Sequence, residues 1–167
     1  MTVMVENAQF RSAMSRLGAA VNIITTDGPV GRHGMTASAV CSVTDEPASL
    51  LVCINRSARI NAMIWQNGFL CVNVLSAEHQ DLSALFANRN VPVEERFAAA
   101  EWQTLSSGVP ALVGALCNFG CRVESVHQMG THSVFFCQVE DLHHRDGGDG
   151  LVYFDRSYHR LPRLATV

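Results

Sequence analysis

From Val113 to Ser125 apolar and polar residues alternate: Val113, Ala115, Cys117, Phe119, Cys121 and Val123 stand against Gly114, Asn118, Gly120, Arg122 and Glu124. Successive side chains of an extended chain point to opposite sides, so a period of two describes a long strand with one dry face and one wet face. Shorter strand-like runs rich in β-branched residues occur at Val21 to Thr26, Leu50 to Ile54, Phe69 to Leu75, Ser133 to Glu140 and Leu151 to Phe154. Turn signals separate them at Asp27-Gly28-Pro29, Asp45-Glu46-Pro47, Gly130-Thr131-His132 and Asp146 to Gly150, where Gly, Pro and Asp each have a backbone reason to bend the chain. Helical spacing is confined to short pieces. Phe10, Met14, Leu17 and Val21 predict one amphipathic helix over 8–20. Ile60, Met63 and Ile64 predict a second, closed by Asn67-Gly68, and Leu82, Leu85 and Phe86 a third, starting at Ser76 and broken between Asn88 and Pro92. Glu94, Glu95 and Arg96 read as an exposed turn and Trp102 as a packed residue, the rest of 93–110 having no clear period. Many antiparallel strands with a few short helices predict a mainly β (α+β) closed or split barrel, and argue against a doubly wound sheet.

A chain of 167 residues that is 48% hydrophobic has enough apolar surface for one core, and one domain over 1–167 is expected. Only 16% of residues are charged and the net charge is −3, which leaves no electrostatic footprint for nucleic acid or an anionic membrane. The chain has no Lys and its Arg residues are scattered, so an anion site must be built from Arg, Ser, Thr or backbone N–H groups. No basic-then-apolar leader opens the sequence, and no apolar run approaches the roughly 20 residues that span a bilayer; a cytoplasmic protein is expected. Six cysteines each lie in an apolar, strand-like run, and reduced Cys packs as a small hydrophobe, so neither disulfides nor a metal site is expected. His143 and His144 are adjacent and point to opposite faces of a strand, and His33 and His79 show no partner in sequence. Gly28, Gly31 and Gly34 have the wrong spacing for a dinucleotide fingerprint or a P-loop and predict a plain hairpin connection.

Two stretches carry candidate chemistry. In Met35 to Asn55, small and hydroxylated residues, Thr36, Ala37, Ser38, Ser42 and Thr44, give an extended segment one polar side. That side suits a ligand, and an edge strand with its hydroxyls in water would read the same way. Ser57 is the expected N-cap of the helix that follows, flanked by Arg56 and Arg59. Unpaired helix N–H groups, the helix dipole and guanidinium forks make such a start a phosphate site, or else a solvated cap with surface arginines. His132 sits in a turn between strands, where a ring can project over a site mouth. Tyr153 to His159 gathers aromatics with Arg156, which fits adenine stacking or dinucleotide phosphate contact and fits a dimer seam equally.

Phe10-Arg11-Ser12-Ala13-Met14, Ala20 to Thr26, Met35 to Asn55, Leu70-Cys71-Val72-Asn73, Glu95-Arg96-Phe97, Gly130-Thr131-His132 and Phe154 to His159 together resemble the flavin reductase-like family of FMN-binding split barrels over nearly the whole chain. The resemblance implies an NADH-dependent FMN reductase with FMN as a substrate or loosely bound, FAD being possible, that supplies diffusible reduced flavin to a partner flavin-dependent monooxygenase. The Phe-Asp-Arg-Ser-Tyr-His ending is most similar to members serving pyrimidine (uracil) catabolism, with 4-hydroxyphenylacetate hydroxylation the nearest alternative. It also implies a homodimer. By the same resemblance the isoalloxazine lies against Thr36, Ala37, Ser38 and Ala39, with the ribityl phosphate near Asn55, Ser57 and Arg59. Phe86, with Arg89 and Phe97, would flank the flavin, and Gly130, Thr131 and His132 would border the nicotinamide pocket. His132 would orient the carboxamide or pyrophosphate, and Arg156 and Tyr158 would meet the dinucleotide. A reading of a different class is a non-catalytic FMN-binding scaffold on the same barrel with the nicotinamide pocket blocked.

Overall fold

The computed structural model describes residues 4–165; the outermost residues of the expected 1–167 domain lie outside that range. The first helix, α1 (Asn7–Met14), leads through a short β1 (Ala19–Ala20) into a hairpin of β2 (Asn22–Thr26) and β3 (His33–Ala37). A second hairpin follows, β4 (Val40–Asp45) and β5 (Ala48–Asn55), then helix α2 (Arg59–Asn67) and β6 (Phe69–Val74). A 3-10 turn (Ala77–His79) runs into α3 (Gln80–Ala87), with α4 (Val93–Ala98) and the small hairpin β7 (Trp102–Thr104) and β8 (Pro110–Leu112) after it. The long hairpin β9 (Cys117–Met129) and β10 (His132–His144) and the short pair β11 (Gly150–Phe154) and β12 (Ser157–Leu161) complete the fold.

The main sheet has seven strands in the order β3-β2-β6-β9-β10-β5-β4, every pair antiparallel. Its two edge strands, β3 and β4, are consecutive in the chain and separated only by Ser38 and Ala39. A flat sheet of this width would hold its edges roughly 29 Å apart at ~4.8 Å per strand, whereas so short a link spans at most about 10 Å. The sheet therefore curls into a barrel that stays split at this seam. Backbone bonds fix the crossing: Val40 N–H donates to the Ser38 carbonyl (2.9 Å) and Cys53 N–H to that of Ala39 (3.0 Å).

Ile24, Val52, Ile54, Leu70, Val72, Cys121, Phe135 and Cys137 fill the barrel, and Ile60 and Ile64 of α2 pack against them from one end. A second cluster outside the barrel joins Val21 and Ile23 to Leu82, Phe86, Phe97, Leu112 and Leu151. Because β2 lies between the clusters, all five of its residues are buried. Asn73, fully buried, ties the layers together: its amide donates to Ile23 O (2.8 Å) and Thr25 Oγ1 (3.2 Å), and its Oδ1 accepts from Leu112 N–H (2.8 Å) and Asn118 Nδ2 (2.9 Å). Asn67 latches the glycine-containing loop, donating to Thr26 Oγ1 and Gly31 O and accepting from Val30 N–H. That loop is the hairpin connection expected from its spacing.

Several expectations need correction. The alternation from Val113 does not begin a strand, because Gly114 takes a left-handed φ of 83° and turns the chain; β9 starts at Cys117 and runs on to Met129. The first helix ends at Met14, and no residue of it is buried; Val21 reaches the core from the neighbouring strand segment instead. Within β5 only Leu50, Val52 and Ile54 are buried, since Leu51 and Cys53 fall on the outer face. All six cysteines are free. Burial pushes the Cys137 thiol up to about 12 and those of Cys71 and Cys121 higher, but Cys41 is exposed on the edge strand and is no part of a core. His79 does have a partner: its Nδ1 accepts from Ser76 N–H at 3.1 Å. The stretch 93–110 resolves into α4 and the β7–β8 hairpin, elements too short to show a period. Trp102 packs on Phe97 (4.8 Å between ring centroids) and donates from Nε1 to the Phe97 carbonyl. Among the described residues no helix is long and apolar enough to cross a membrane, and no group of His, Cys, Asp and Glu is placed to hold a metal ion.

Candidate flavin site

Beside the seam, β3, the start of α2, the end of α3 and the approach to α4 enclose a cavity of about 570 Å³. Its wall begins with a missing side chain. A Cβ at Gly34 would lie 2.6 Å from the Phe86 ring, so glycine lets α3 sit directly on β3 and brings Phe86 into the wall. Thr36 then reaches the helix, its Oγ1 donating to Ser83 O at 2.6 Å, and Ser83 Oγ shares a 2.8 Å hydrogen bond with Tyr158 Oη.

The cavity is lined by Arg59, Arg89 and Arg96. Arg96 is only 5% exposed. Its guanidinium is held from two sides, Nε donating to Val91 O (2.9 Å) and Nη1 to Gly34 O (3.0 Å), so it joins α4 to β3. Burial lowers its pKa from the usual value, yet a guanidinium remains cationic. Arg32, next to His33, is engaged elsewhere, paired with Glu94 and seated 4.3 Å over the Phe97 ring. His33 is buried in the wall, and its Nδ1 has no hydrogen-bond partner. Burial first, then the charges of Arg96 and Arg59, lowers its pKa from the usual value.

The candidate residues divide into three groups. Thr36, Ser57, Arg59 and Phe86 line the cavity together with Arg89. Ala37 follows on β3, its carbonyl accepting from Asn22 Nδ2, and Ser38 and Ala39 are exposed at the seam. Ser57 is not the N-cap of α2: that position is Ala58. The Ser57 N–H and Oγ both donate to Asn55 Oδ1, at 2.9 and 2.8 Å, the local turn by which an Asn side chain bonds the residue two places on.

Asn55 belongs to a second group at the end of β5, where it pairs with His132. Gly130, with a left-handed φ of 55°, makes the turn. Thr131 O accepts from Arg56 N–H (2.9 Å), and Thr131 Oγ1 lies 2.9 Å from His132 Nδ1. His132 is exposed and not among the cavity-lining residues. In the third group, Arg156 is exposed in the tight β11–β12 turn at φ 64°, and Tyr158 supports Ser83 from behind the wall.

Two wall residues escaped sequence reasoning. Glu94, Glu95 and Arg96 read as an exposed turn, and nothing local reveals that Arg96 is drawn inward by the carbonyls of Val91 and Gly34. His33 opens strand β3, and nothing in its sequence neighbours reveals that the fold buries it.

A barrel split at one seam leaves beside it an arginine-lined cavity suited to a phosphate-bearing ligand. Residues 14–162 match the flavin reductase like domain, and the chain belongs to that family. A protein of Yersinia enterocolitica named FMN reductase (NADH) RutF is 56% identical over 162 residues, covering 97% of this chain and 88% of its own length. Among solved structures, a protein of Haemophilus somnus 129PT superposes with a TM-score of 0.91 at 47% identity, covering 94% of this chain and all of that one. BorF, the flavin reductase component of a bacterial two-component tryptophan halogenase, superposes with a TM-score of 0.89 at 29% identity, covering 95% of this chain and all of its own.

Proposed function

We propose that the chain, working as one domain, is an NADH-dependent FMN reductase that passes diffusible reduced flavin to a separate flavin-dependent monooxygenase in pyrimidine (uracil) catabolism. The 56% identity over 97% of the chain to a protein named FMN reductase (NADH) RutF carries this reading. The cavity fits the ligand: guanidinium groups on Arg59, Arg89 and Arg96 suit a phosphate, and Phe86 and Met35 give a ring system an apolar wall. Flavin and nicotinamide supply the hydride chemistry themselves when bound, so the protein's share is placement. Thr36 and Ala37 end strand β3, and Ser38 and Ala39 cross the seam; their small side chains permit close approach of a ring edge to backbone N–H groups. Asn55, Ser57 and Arg59 hold the ribityl phosphate end. His132, with Gly130 and Thr131, orients the dinucleotide above the open side, and Arg156 and Tyr158 extend that surface. The protein acts in the cytoplasm as a homodimer. Purified protein mixed anaerobically with NADH and excess FMN is expected to consume the nicotinamide absorbance and to lose flavin on dilution. Tight flavin retention with unchanged NADH would overturn the proposal in favour of a scaffold.

A further inference from the structure

We propose that His33 is a specificity-determining residue of this site: when a flavin phosphate enters among Arg59, Arg89 and Arg96, the imidazole takes up a proton from solvent and donates to the phosphate. The inference rests on the cavity being the flavin site and adds to it a residue that distinguishes FMN from riboflavin. His33 is 8% exposed, its Nδ1 is enclosed without a hydrogen-bond partner, and its ring lines the cavity. Nδ1 is closed off from the cavity, so an entering ligand meets the ring through the remaining edge that lines the wall. The charges around it are of one sign. Arg59 faces it from α2, Arg96 from α4, and Arg89 lines the same cavity beyond α3. Arg32 is neutralised by Glu94, and no carboxylate is among the lining residues.

The loss of water, and after it these guanidiniums, oppose a charge on the ring. A phosphate monoester brings about −1.5 to −2 charge and several acceptor oxygens, which reverses the local field at the edge of the ring that lines the cavity. The bound-state pKa of His33 then lies above its ligand-free value. FMN affinity gains from this linkage at low pH, and the gain disappears as pH rises through the bound-state value. Riboflavin, lacking the phosphate, has no such dependence. The phosphate's own second ionisation, near pH 6, works the opposite way, but identically in wild type and variants.

Dissociation constants for FMN and riboflavin, measured by flavin fluorescence from pH 6 to 8.5 in wild type and His33→Gln, test the idea. The ratio of wild-type to variant FMN affinity is expected to fall about tenfold across the range, the change that one pKa unit produces. Riboflavin affinity should stay the same in both proteins. Calorimetry in two buffers of different ionisation enthalpy should show proton uptake on FMN binding by wild type in excess of that by the variant. Parallel pH profiles with equal uptake would overturn the proposal, as would equal loss of both flavins in His33→Gln and in His33→Asn, which would make the ring mere wall packing. Failure of wild type to bind either flavin would instead overturn the assignment of the cavity.

Discussion

Arg96 holds two buried carbonyls and a cavity wall with one planar group. An ammonium has no forked geometry, so Arg96→Lys cannot satisfy Val91 O and Gly34 O together. The substitution is expected to destabilise the protein by about 1–3 kcal/mol, the usual cost of stranding a buried polar group, and to weaken FMN binding by roughly tenfold. Urea denaturation and flavin titration measure the two effects separately. His79 shows the same economy at the start of α3. Its Nδ1 accepts from Ser76 N–H, which only the unprotonated nitrogen does. Burial, then Arg145, lowers its pKa, against a smaller opposing effect from Glu78. Its contribution to stability is therefore complete above its unfolded value of about 6.5 and is lost as pH falls through the folded value. The urea midpoint should drop between pH 7.5 and 5.5, and His79→Gln should drop less over the same interval.

At the scale of elements, two glycines do unrelated work. Gly68 ends α2 in the left-handed region at φ 78° with nothing near its missing Cβ. Gly68→Ala should cost ~1 kcal/mol through backbone strain alone and leave flavin binding unchanged. Gly34 has ordinary backbone, but a Cβ there meets Phe86 at 2.6 Å and Phe97 at 3.3 Å. Gly34→Ala should push α3 off β3, costing about 1–3 kcal/mol as overpacking does, and should also abolish FMN binding because it displaces the cavity wall. Thermal melts paired with flavin titrations separate the mechanisms: both variants melt earlier, and only one loses its ligand.

For the molecule as a whole, the short Ser38-Ala39 link decides the shape. By forcing the edges of the sheet together it places the seam beside the cavity. Phe10, Met14 and Leu17, at the α1 end of the chain, are 46–64% exposed. Nearby, Asp155 N–H donates to Ser15 O and Arg16 pairs with Asp155, which fastens this segment to the turn beside Phe154. Such a patch suits the proposed homodimer better than water does. Sedimentation of Phe10→Ser combined with Leu17→Ser should show monomer where wild type shows dimer, while the heat-induced unfolding of the monomeric form stays cooperative. An unchanged dimer would place the interface on another face.

The sequence by itself determined the strand-rich class, the positions of most hairpins, the end of α2 at Asn67-Gly68 and the helix start at Ser76, because alternation, caps and turn residues act over a few neighbours. It also marked Thr36, Ser57 and Arg59, to which the family resemblance added Phe86, and the fold brings all of them to one cavity. Only the tertiary structure decided that Arg96 and His33 face inward, that Ser57 donates to Asn55 while Ala58 takes the N-cap position, and that His132 stands outside the cavity beside Asn55. Those outcomes depend on which distant segments close over a residue. Burial and the field of neighbouring guanidiniums are properties of that enclosure, and no local pattern encodes them.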